Sequence, residues 1–68
     1  MNRSRINLAD LIVQEFGTTG AEARRLIMQR GVRIDNRIVP PAVIDVDRDM
    51  LGGSVVQIGR NRFRLILR

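Results

Sequence analysis

Residues Thr19 to Val32 read TGAEARRLIMQRGV, and the way this stretch folds decides the rest of the chain. Thr19 followed three residues later by Glu22 has the pattern of a capping box. In it the threonine oxygen accepts from the Glu22 amide and the glutamate reaches back to the amide of Thr19. Ala23, Leu26 and Ile27 fall on one side at i, i+3, i+4 spacing, which predicts a helix with that stripe on a core. Ala21, Arg24, Arg25 and Met28 gather on the opposite side. Arg30 falls in the last turn, where a cation suits the negative end of the helix dipole. Gly31 is expected as the residue past the helix that takes a positive φ, with Val32 opening the next element. The product is a short rod that presents the guanidinium groups of Arg24 and Arg25 to solvent.

Upstream, the polar and basic MNRSRI (residues 1–6) reads as frayed or as a passing arm. Asn7 caps a first helix with Asp10 in its first turn. Leu8, Leu11, Ile12 and Phe16 make the apolar stripe, and Gly17 ends the helix. Thr18 is the only spacer, so a tight corner joins the two helices.

Downstream of Gly31 the period changes from helical to two. Val32 and Ile34 alternate with Arg33 and Asp35, and Asp35-Asn36 is a candidate two-residue turn into Arg37-Ile38-Val39. A strict two-residue loop places Ile34 opposite Arg37 and leaves Ile38 on the far face; sequence alone leaves that register open. Pro40-Pro41 ends the hairpin. Residues 42–51 read as a crossing loop carrying Asp45, Asp47 and Asp49. Val56 and Ile58 lead a strand, Gly59 to Asn61 turn, and the last strand alternates. Phe63, Leu65 and Leu67 are expected on the buried face, with Arg62, Arg64 and Arg68 outward and Ile66 interrupting the polar side. The fold class is therefore α+β: one domain with two short helices on a small, mostly antiparallel sheet.

A chain of 68 residues has room for one core. It has no Cys and no His, which excludes disulfides and ordinary zinc sites. No apolar run approaches the roughly 18 residues that span a bilayer, and no signal peptide is visible, so a soluble, cytoplasmic protein is expected. Twelve basic residues, all Arg, oppose seven acids for a net charge of +5 and a pI near 11.7. Residues 1–39 carry +3, residues 40–51 carry −2 and residues 52–68 carry +4. Arginine-rich codon usage is one reading of the missing lysine and bidentate phosphate binding the other; the excess charge itself points to a polyanion. Catalysis is not expected without His, Cys, Lys, Tyr or Trp. The aspartates of residues 45–49 lack EF-hand spacing and surround Arg48, which reads as loop solvation, so no metal or cofactor is expected. Phe16 and Phe63, the only aromatics, sit at apolar-periodic positions and are expected in the core. That argues against a stacking platform for single strands and for structured RNA read by shape and phosphate geometry.

The order helix, tight corner, AEARRLI helix, Gly-Val strand, Asx turn and hairpin resembles the S4 RNA-binding domain, or αL motif. The resemblance rests on Thr19 to Ile27 and Gly31 to Asn36. INLADLIV (residues 6–13) and GGSVVQIGRNRFRLIL (residues 52–67) look most like the C-terminal domain of bacterial tyrosyl-tRNA synthetases. Gly20 stands where the family pattern has a basic residue, Asp35-Asn36 replaces its Asn-Gly, and the corner at residues 17–19 is short. On spacing alone Arg24 and Arg25 are a solvated helix face. The resemblance implies that they bind structured RNA, tRNA or rRNA, with Thr19 at the helix N-terminus. Arg33 and Arg37 beside the turn and Arg60, Arg62 and Arg64 on the last hairpin are further candidates. It implies either an appendage of a synthetase, with catalysis elsewhere in a parent chain, or a free-standing RNA-binding protein. The rival is a protein-interaction or homo-oligomerisation module that kept the fold without RNA, and Gly20 and Asp35 favour it.

Overall fold

Each helix begins where a side chain satisfies its first amides. In the computed structural model, which describes residues 5–66, helix α1 spans Leu8–Phe16 and α2 spans Gly20–Met28. Asn7 Oδ1 accepts from the amides of Ala9 at 2.9 Å and Asp10 at 3.4 Å. Thr19 Oγ1 accepts from the Glu22 amide at 3.1 Å, which is half of the expected capping box. The other half does not form, because the Glu22 carboxylate turns to Arg62 at 3.2 Å. Gly17 closes α1 in the left-handed conformation, φ 71°, with its amide on the Val13 carbonyl at 2.9 Å.

The end of α2 differs from the sequence reading by one residue. Arg30, not Gly31, takes the positive φ, at 58°. The Arg30 amide bonds the Ile27 carbonyl at 3.1 Å and the Gly31 amide bonds that of Leu26 at 2.8 Å, the paired closure of a Schellman motif. Gly31 is needed for space instead. A Cβ there would lie 3.3 Å from both the carbonyl oxygen and Cδ2 of Leu26. An L side chain in the left-handed region costs about 1–2 kcal/mol. Arg30→Gly should therefore raise the thermal midpoint by about 4–8 °C, the shift that roughly 1 kcal/mol produces in a domain of this size, measurable by circular dichroism.

The strands are β1 (Arg5–Asn7), β2 (Val32–Ile34), β3 (Arg37–Ile38), β4 (Asp45–Asp47), β5 (Val55–Ile58) and β6 (Arg62–Leu65). They form a four-stranded antiparallel sheet ordered β3-β2-β5-β6 and a separate pair, β1 with β4. Two expectations are corrected here. Arg5 to Asn7 are a strand and not part of a frayed arm, while residues 1–4 lie outside the described residues. Within the supposed crossing loop, Asp45 to Asp47 pair with that strand, because Val46 opposite Ile6 gives the short ladder an apolar side against the core.

The first hairpin has the strict two-residue turn. Ile34 faces Arg37, and Asp35 and Asn36 both take positive φ, at 50° and 69°. That is the type I′ geometry which matches strand twist. The core gathers Leu8, Leu11 and Ile12 of α1, Ala23 and Ile27 of α2, Val32, Val56 and Ile58 of the sheet, and Val39 and Ile66 beyond it.

The last strand faces the opposite way from its apparent pattern. Ile66 is fully buried, while Phe63 is 61% and Leu65 52% exposed. The Ile66 amide donates to the Ser54 carbonyl at 2.9 Å and its carbonyl accepts from Gly53 at 2.8 Å, so the ladder runs on and draws Ile66 over the helices. Residues 62, 64 and 66 thus share the inner face. Leu67, expected on the same side as Phe63, lies outside the described residues. Phe16 is half-buried and packs against the core, as expected.

Candidate nucleic-acid interface

The arginines divide into those the fold employs and those it leaves free. Arg64 Nε donates to the Glu15 carbonyl at 2.8 Å, satisfying one of the orphan acceptors at the end of α1. Arg62 pairs with Glu22 in the first turn of α2. The two side chains therefore fasten β6 to both sides of the interhelical corner. Arg48 reaches Glu15 at 3.0 Å and Gln14 at 3.3 Å, tying the segment after β4 to α1. Arg62 and Arg64 are predicted site residues on the helix-facing side of β6; both stay exposed and already have partners. Thr19 is also engaged, its hydroxyl oxygen holding the cap.

Arg24, Arg25, Arg30 and Arg60 are exposed and Arg33 is half-buried. None of these five guanidinium groups has an ion pair or hydrogen bond with another side chain among the described residues. Arg24 folds back along α2, and its Nη1 lies 3.4 Å from where a Cβ on Gly20 would stand. A Cβ at position 20 would make only ordinary van der Waals contact with that flexible guanidinium. Arg24 also borders an open groove of about 340 Å³ between the helices and the segment after Pro40-Pro41. Its walls include Asn7, Asp10, Met28, Pro41 and Ile44, with Met28 and Ile44 exposed. The groove is apolar between one cation and one carboxylate.

Arg37 is exposed on β3, close enough to Asp35 to act on it electrostatically. The Val55 amide donates to Asp35 Oδ1 at 3.0 Å. That bond, then the Ser54 hydroxyl and the Arg37 charge, hold the Asp35 carboxyl below its usual range, outweighing the small cost of desolvation. A carboxyl depressed in the folded state adds stability above its unfolded value of 3.8 and loses it as pH falls through the folded value. Asp35→Asn should therefore lower the thermal midpoint at neutral pH and match the parent protein well below pH 3.8, as followed by thermal melts across pH.

Sequence reasoning placed Arg30 only as a helix-end cation and assigned Phe63 to the core. The structure adds both to the outer surface. No helix of the described residues is long and apolar enough to cross a membrane, and no group of three or more metal-binding side chains occurs among them. Comparison with models of known protein families and with curated proteins finds no match.

Proposed function

We propose that this protein binds structured RNA, tRNA or rRNA, through the arginines of α2 and of the hairpin that follows it. One observation carries the reading. Between Arg24 and Arg37 the chain holds five arginines and one acid, Asp35, and that acid accepts from the Val55 amide of β5. Arg24, Arg25, Arg30, Arg33 and Arg37 form no ion pair among the described residues, whereas Arg48 and Arg62 do, and Arg64 caps a helix. Positive charge left unneutralised on a small rigid frame suits phosphate, and arginine binds it bidentately.

The resemblance to S4 domains supports the same reading, with the helix-corner-helix and the Asx hairpin in the order that family uses. The protein then acts without catalysis of its own, in the cytoplasm, as the tRNA-binding appendage of a tyrosyl-tRNA synthetase or as a free-standing RNA-binding protein. The test is titration of labelled tRNA with the parent protein and with Arg24→Glu/Arg25→Glu at rising salt. Binding should weaken steeply with salt and be lost in the variant at moderate salt. Unchanged binding by the variant would end the proposal. If that variant instead dissociates a dimer, the protein is an interaction module.

A further inference from the structure

The outer face of the four-stranded sheet, opposite the helices, is open. One cross-strand row runs over all four strands: Ile38 pairs with Arg33, Arg33 with Gln57, and Gln57 with Phe63. Val55 and Leu65 pair in the same orientation two residues further along β5 and β6. Ile38, Val55, Phe63 and Leu65 are the large apolar residues left exposed there, between 39% and 61%. We propose that this face is a stacking platform for an unpaired nucleotide of a bound RNA, with Phe63 beneath the base. The partner's class rests on the RNA reading above; of the arginines in that reading this face shares only Arg33.

Four features make the fit. Phe63 offers an exposed ring on a rigid strand, which is the element that stacking recognition needs. Leu65, on the same face about 7 Å along the strand, can carry the adjoining sugar or base. Gln57 lies opposite Phe63, and its Nε2 donates to the carbonyls of Gly59 and Arg60, both at 3.2 Å. That clasp fixes the amide and leaves Oε1 as an acceptor for the base edge beside the ring. Arg33, without an ion pair among the described residues, lies one strand beyond Gln57, roughly 10 Å from Phe63 across two strand spacings, within reach of a flanking phosphate.

A second copy of the chain fits the same face poorly. Stable interfaces bury about 800 Å² per partner, and four partly exposed side chains supply only a few hundred. A two-fold stack of sheets would also bring Arg33 toward its own copy in a desolvated contact, on a protein already at +5. Nucleic acid turns that charge into an attraction.

The probes are an oligouridylate of about twelve nucleotides, the same backbone with abasic residues, and an RNA duplex without loops. The parent protein should bind the oligouridylate more tightly than the abasic strand. Phe63→Ala should weaken oligouridylate binding roughly ten-fold, abolish the difference between the two strands and leave duplex binding unchanged. Phe63→Trp places the only tryptophan in the chain at the site, and its fluorescence should be quenched by oligouridylate but not by the abasic strand. If duplex binding depends on Arg24 and Arg25 while Phe63→Ala leaves the strands distinguished as before, the platform is overturned and the RNA reading stands. Absence of binding to all three RNAs overturns both. Conversion of a dimer to a monomer by Phe63→Ala in sedimentation would assign the face to self-association and overturn the platform.

Discussion

Ile66→Ala should destabilise the domain by about 2–5 kcal/mol, the usual cost of emptying a fully buried isoleucine site. Folded proteins rarely exceed about 5–15 kcal/mol of total stability, and small ones lie at the low end. Much of the population should therefore be unfolded at ambient temperature, visible as lost ellipticity or a urea midpoint near zero. Phe63→Ala should change the stability by less than about 0.5 kcal/mol, because an exposed ring has little to lose. The alternation of the last strand predicts the opposite order. A larger loss for Phe63→Ala than for Ile66→Ala would show that β6 packs with the other face inward.

The second large effect is on RNA affinity. If each of the five arginines from Arg24 to Arg37 meets one phosphate, the logarithm of affinity should fall with the logarithm of salt at a slope of about −4 to −5. Raising salt from about 50 to 200 mM then costs roughly 500-fold in binding. Arg24→Glu/Arg25→Glu should reduce that slope by about 2 and add repulsion from the new carboxylates. Arg30→Gly separates structure from contact, since it should make the protein more stable and the complex weaker. Parallel gains or parallel losses would contradict the role given to that side chain. Filter binding or fluorescence anisotropy over a salt series supplies both slopes.

The helices were legible because their determinants are local. Asn7, Gly17 and Thr19 act within a few residues of themselves, and the stripe at Ala23, Leu26 and Ile27 follows from 3.6-residue geometry. The turn at Asp35-Asn36 was legible for the same reason. Strand β6 was not, because period two says that alternate residues share a face without saying which face is covered. The contacts that choose are Arg64 with Glu15, 49 residues earlier, and Arg62 with Glu22, 40 residues earlier. The Arg30-Gly31 step was ambiguous in another way. A glycine beside a helix end serves either a positive φ or a close approach, and here the approach to Leu26 takes it. Arg24 and Arg25 could be placed outward from helical angle alone, whereas the inward use of Arg62 and Arg64 depends on the folded chain.

The two arginine fastenings at the interhelical corner also bear on how the polypeptide assembles as it is made. Synthesis at about 5–20 residues per second delivers both helices to the tunnel exit well before the strand that clamps them. Until then the apolar stripes of Leu8, Leu11, Ile12 and Ile27 have no lid, and the corner at residues 17–19 has no clasp. Closure must wait until β6 has emerged, so both helices stay uncovered until that strand reaches them.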